Sequence, residues 1–144
     1  MGKPQRISLR AYAVIVEDGK ILLCRLGSSS CDPGLWTLPG GGADFGESPV
    51  EACRREVMEE TGHTVEVEDE AYVNSQLWEN EDDRHQSVRF LFRARVAGGT
   101  LTNESDGTTD LATWVDLGEV TELPRADIVD FALQLVAVEP VFTR

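Results

Sequence analysis

The alternation of apolar side chains is clearest from Ser8 onward, where Ala11, Ala13 and Ile15 interleave with Tyr12, Val14 and Val16. Both sets are apolar, so the pattern predicts a strand covered on both faces and central in its sheet. Asp18-Gly19 is a hairpin signal, and Ile21 to Arg25 reads as the returning strand. Leu35 to Leu38 is a short apolar strand stopped by Pro39 and the triplet Gly40-Gly41-Gly42. The period then changes: Val50, Cys53 and Val57 recur at helical spacing. Ser48 can cap that helix, Pro49 suits its first position, Glu51 completes an S-x-x-E capping box, and Gly62 fits a left-handed stop. The spacing predicts a helix over Pro49 to Thr61.

Beyond it, His63 to Val67 and Ala71 to Trp78 alternate as strands, with a turn expected at Asp69-Glu70. Glu79 to Asp83 reads as an exposed hairpin loop, and Gln86 to Val96 as a long strand closed by Gly98-Gly99. Asn103 to Asp110 is an acidic loop before a strand at Ala112 to Val115. Arg125 to Val138 is an amphipathic helix with Ile128, Phe131, Leu135 and Val138 on one side. Met1 to Arg6 reads as a frayed terminus. No repeat or linker interrupts the chain, so a single domain over 1–144 is expected, of mixed α/β (α+β) class. Hairpin-ordered strands with two helices predict an α/β/α sandwich around a mixed, mostly antiparallel sheet.

Composition narrows the function. At 144 residues, 41% hydrophobic and 27% charged, the chain is an ordinary globular domain able to bury a core. Its formal net charge of −13 repels nucleic-acid backbones and anionic membranes, so neither is expected as a partner. A small phosphorylated ligand remains open if metal ions neutralise the carboxylates locally. Cys24, Cys31 and Cys53 are odd in number and lack C-x-x-C spacing, which predicts thiols in a reducing compartment rather than disulfides or a zinc site. The first residues lack the apolar run of a signal peptide, and a cytoplasmic location is expected.

The chemistry concentrates between Gly40 and His63. Glu56, Glu59 and Glu60 share one side of the predicted helix, and carboxylates that close repel one another unless a cation sits between them. Oxygen ligands of this kind suit magnesium or manganese. A bare E-x-x-E-E is more often a solvated acidic face; the glycine triplet, the buried stripe and Glu47 upstream shift the balance toward a site.

Here the sequence resembles the Nudix box, G-x5-E-x7-R-E-U-x-E-E-x-G-U, with U a bulky apolar residue. Gly41, Glu47, Arg55, Glu56, Val57, Glu59, Glu60 and Gly62 fall in register, whereas His63 replaces the final apolar residue. Gly34 to Gly41 resembles the G-x-W-x-L-P-G-G lead-in, and Trp114 to Leu117 the later W-x-x-L segment. The resemblance implies Mg2+-dependent (or Mn2+-dependent) hydrolysis of a nucleoside diphosphate linked to another moiety. It implies that Glu56 and Glu60 are the principal metal ligands, with Glu59 a further ligand or a base. The Gly40 carbonyl would complete the coordination, and Glu47 with Arg55 would pin the loop to the helix. Arg25, on the strand ahead of the glycine loop, is a candidate phosphate contact, and by the same resemblance Asp106 and Asp110 are candidate metal-binding or catalytic acids from the late loop. At His63 a local packing change is expected rather than a lost activity.

Trp36, Trp78 and Trp114 read as core residues or base-stacking surfaces, and His63 and His85 as structural or exposed. An isomerase or a non-hydrolytic binding module on the same fold are the alternatives; the complete set of box glutamates favours catalysis. Substrate choice is expected to lie in loops such as Gly27 to Gly34 and Glu79 to Gln86. The oligomeric state is open, a homodimer among the alternatives.

Overall fold

The computed structural model describes residues 2–138. Strands β1 (Gln5–Glu17), β2 (Lys20–Leu26), β3 (Trp36–Thr37) and β4 (Gly40–Gly42) precede helix α1 (Pro49–Thr61). Strands β5 (His63–Glu79), β6 (Arg84–Gly99) and β7 (Thr109–Asp116) follow, then a 3-10 turn over Leu117–Glu122 and helix α2 (Asp127–Val138). The sheet runs β3-β2-β1-β6-β5, with β4 added to β1 and β7 to β2. β1 and β6 are parallel and the remaining pairs antiparallel, which is the expected mixed, mostly antiparallel sheet.

β1 is the spine because both of its faces are apolar. Ala11, Ala13 and Ile15 enter a cluster with Ala52, Cys53 and Val57 of α1. Tyr12 and Val14 enter a second cluster with Ile128, Val129 and Ala132 of α2. A helix therefore covers each face. Asp18 and Gly19 both take positive φ (51° and 76°), the two left-handed residues that a tight β1–β2 hairpin requires.

Three expectations are corrected. Gln5 and Arg6 are not frayed; they already pair with Arg84 and His85 of β6. Asp69-Glu70 is not a turn between two strands. β5 runs through it, and the ladder shifts register between Val67 and Ala71, so the charged segment is absorbed as a bulge. The glycine triplet forms strand β4, laid antiparallel on Arg10 to Tyr12. α2 begins at Asp127, because Arg125 is still extended and bridges Trp36. Ile128, Phe131 and Leu135 do turn to the core; the side chain of Val138, like Met1 and 139–144, lies outside the described residues.

His63 is buried where an apolar residue was expected. Its Nδ1 lies 3.1 Å from the Gly98 carbonyl, so the ring fills the space with its polar atom satisfied. Among the described residues no helix is long and apolar enough to cross a membrane.

Gly40 fixes how closely β4 lies on β1. Its φ is +150°, and a Cβ there would collide with the Ala11 carbonyl oxygen and stand 2.6 Å from Tyr12 Cα. Gly40→Ala is expected to cost on the order of 3 kcal/mol or more in urea unfolding, from backbone strain and overpacking together. An unchanged midpoint would show that β4 can move away from β1 freely.

Candidate active site

α1 carries the functional side chains, and local chemistry fixes where it starts and ends. The Ser48 hydroxyl accepts from the Glu51 N–H at 3.1 Å while the Glu51 carboxylate accepts from the Ser48 N–H at 2.8 Å, a complete capping box. Gly62, at φ 80°, closes the helix through its N–H to the Met58 carbonyl. With Ala52, Cys53 and Val57 committed to the core, Arg55, Glu56 and Glu59 emerge toward the β4 loop.

Arg55 ties the loop to the helix. Its Nε and Nη2 donate to the two oxygens of Glu47 at 2.8 and 2.9 Å, and Nη2 also reaches the Gly42 carbonyl at 3.0 Å. Nη1 donates to Glu56 at 2.8 Å and approaches Glu59 at 3.2 Å. Glu47 additionally accepts the Asp44 N–H at 2.9 Å. The Arg55 fork, followed by that backbone bond, holds the Glu47 carboxyl at about 2.

Glu60 has the opposite environment. It is 4% exposed and accepts the Gly40 N–H at 2.9 Å. Burial first, and then the negative charges of Glu56 and Glu104, push its carboxyl up to about 9 despite the bond from Gly40. Glu56 lies over Gly41, where a Cβ would come 2.8 Å from its Oε2. The glycines thus let backbone and carboxylates meet at one point.

Glu104 is the residue that sequence reasoning missed. It leaves the late loop half-buried, takes the Thr109 hydroxyl at 3.2 Å, and is raised by burial and by Glu56 and Glu59. The available signal was Asn103: its side chain accepts the Ala112 N–H at 2.9 Å and folds the loop back onto β7. Asp106, by contrast, is exposed, and Asp110 pairs with Arg25 at 2.9 Å on the surface. Arg25 and Asp110 are therefore brought together, while Asp106 joins neither them nor the glutamates of α1.

Among the described residues no three His, Cys, Asp or Glu side chains stand ready to hold a metal ion together. Arg55 spans Glu56 and Glu59 and occupies their oxygens. The donor chemistry nevertheless fits a hard divalent cation: all donors are oxygens, and Glu60 is buried beside the like charges of Glu56 and Glu104. From Gly40 and Glu60 a cavity of about 600 Å3 extends along the sheet past Tyr12, Arg10 and Arg89 to Trp78 and His85, roofed by the start of α2. Trp36 and Trp114 are half-buried against the core, whereas Trp78 is 52% exposed.

The family model described as NUDIX domain matches residues 6–135. A MutT-like protein of Streptomyces ambofaciens is 34% identical over 78% of this chain and 65% of its own length. Human 8-oxo-dGDP phosphatase NUDT18 is 37% identical over 84% of this chain and 36% of its own. The chain thus spans less than two-thirds of the length of either relative. The crystal structure of the MutT protein from Methanosarcina mazei superposes with a TM-score of 0.70 at 26% identity, covering 98% of this chain and 99% of that one.

The depressed Glu47 carboxyl makes the Arg55 pair sensitive to acid. The folded group resists protonation until about pH 2 while the unfolded one accepts a proton near 4.5, so the stabilisation is complete above 4.5 and lost as pH falls toward 2. The stability gap between wild type and Glu47→Gln in urea is expected to be constant above pH 5 and to close between 4.5 and 2. A gap that does not change with pH would remove the ion pair as its source.

Proposed function

The chain belongs to the NUDIX family, and on that footing we propose that it is a divalent-metal-dependent pyrophosphohydrolase acting on a nucleoside diphosphate linked to another moiety. The observation that carries this reading is buried Glu60, lining a ligand-sized cavity with its carboxyl raised by burial and by the charges of Glu56 and Glu104.

Glu56 and Glu60 would hold the ion, Mg2+ or Mn2+, with Glu59 and the Gly40 carbonyl as further donors. When bound, the ion supplies neutralising charge for the diphosphate and an acidified water. The Gly40 N–H keeps one Glu60 oxygen oriented. Glu59 and Glu104 flank the pair on its solvent side, where either carboxylate can take the proton of the attacking water. Arg55 and Glu47 act by position: they set the distance between the β4 backbone and α1, and so the spacing of the donors. Arg25, on the strand ahead of the glycine loop and paired with Asp110, is the proposed phosphate contact. Asp106 lies in the same late loop and is proposed to approach the substrate from solvent.

With Mg2+, the purified protein is expected to hydrolyse at least one member of a panel of nucleoside triphosphates, nucleotide sugars and dinucleotides. Arg55→Ala should lower kcat about 10- to 100-fold, as loss of an outer partner does, and Glu60→Gln by more. A panel without turnover in either Mg2+ or Mn2+ would sink the hydrolase reading.

A further inference from the structure

The sheet ends on a bare edge. Among the described residues β5 pairs only with β6, so its other side presents unpaired N–H and C=O groups. The opposite end of the strand order is blunted, because β3 is two residues long. β5 runs for 17 residues, and its stretch from Ala71 to Trp78 contains no charge and no proline. Within it Tyr72, Val73, Leu77 and Trp78 are 42%, 50%, 61% and 52% exposed. A long apolar edge with neither charge nor proline to spoil it is a template for another strand.

The strand that fits this edge is the edge itself. Ser75 is the centre of a chemical palindrome: Asn74 and Gln76 are amides, Val73 and Leu77 aliphatic, Tyr72 and Trp78 aromatic. When a strand pairs antiparallel with its own copy about a two-fold axis, opposed residues share a face and the axis passes through one residue. Placed at Ser75, the axis sets Val73 against Leu77 on the face toward α1 and Tyr72 against Trp78 on the face toward α2. Amide meets amide between them. Moving the axis to Asn74 sets Tyr72 against Gln76, and moving it to Gln76 sets Trp78 against Asn74, so either shift opposes apolar to polar. Beyond this window both ends are acidic, with Glu68-Asp69-Glu70 on one side and Glu79 and Glu81 to Asp83 on the other. Like charges therefore stop the pairing from lengthening.

We propose that β5 is an interface between two copies of this chain, paired antiparallel about Ser75 into one continuous sheet. The interface does not depend on the hydrolase reading, yet it borders the site: Gln76 and Trp78 line the cavity, and the second copy meets Trp78 with its Tyr72. Seven paired residues span ~24 Å, a narrow contact beside the ~800 Å2 per partner of a standard interface, so association is expected in the micromolar range and above. Two chains of net charge −13 repel each other, so salt should favour the pair.

Sedimentation equilibrium of the purified chain, from micromolar to near-millimolar concentration, should show the mass rising from one chain to two, and at lower concentration when salt is added. Val73→Lys, an exposed change that puts a charge against Leu77 of the second copy, should keep the urea midpoint of the dilute protein and lose the dimer. The register is read by cross-linking in a Cys31→Ser background, since Cys31 is exposed while Cys24 and Cys53 are buried. Directly opposed strand residues lie about 4.5–5.5 Å apart at Cα, within disulfide range, so Ser75→Cys should couple chain to chain under mild oxidation. Leu77→Cys should not, because its counterpart in the second copy lies about 14 Å further along the strand. A single-chain mass throughout overturns the proposal. So does a dimer that survives Val73→Lys, or one that couples through Leu77→Cys as readily as through Ser75→Cys.

Discussion

Glu60 is almost wholly buried beside the charge of Glu56, and keeping a carboxylate there costs several kcal/mol unless something neutralises it. Most of the architecture around them serves to hold that arrangement in place. Burial first, and then the neighbouring carboxylates, push the Glu60 carboxyl up to about 9, which favours a proton there. Between 4.5 and 9 the folded chain holds a proton that the unfolded chain has released, so in that range stability falls as pH rises. In the proposed function a divalent cation held there would remove the cause, replacing the proton and neutralising the carboxylate.

Arg55 makes the arrangement possible from the other side. One guanidinium bonds Glu56 and approaches Glu59 along its own helix while reaching Glu47 and the Gly42 carbonyl, so the loop and the helix cannot separate without losing the three bonds to Glu47 and Gly42. The planar fork is what allows it; a lysine at this position could meet these partners only one or two at a time. Behind the fork, Ala52, Cys53 and Val57 lock the same helix into the cluster under β1. Core packing sets the helix, the helix sets Arg55, and Arg55 sets the carboxylates.

How much of this was legible in the sequence follows the range of the interactions. α1 runs over the residues its cap, its stripe and Gly62 predicted, because each of those signals acts within a few residues. β1 was legible as central because both of its faces are apolar. The path of β5 through Asp69-Glu70 was not, since the partner that carries it across is β6, distant in sequence. Glu104 was hidden for a related reason: its proximity to Glu56 and Glu59 depends on Asn103 and Thr109 folding the late loop onto β7. Trp78 carried an ambiguity that composition could not resolve, because only the pairing register puts it on the cavity side with His85.

Thermal unfolding of wild type and Glu60→Gln at pH 8, with a chelator and then with Mg2+, tests the buried-carboxylate account most directly. Glutamine can still accept the Gly40 N–H but carries no charge to be neutralised. In chelator the variant should therefore unfold at or above the wild-type temperature, and Mg2+ should raise the wild-type midpoint while leaving the variant's unchanged. A variant less stable than wild type without metal, together with equal shifts in Mg2+, would contradict the account.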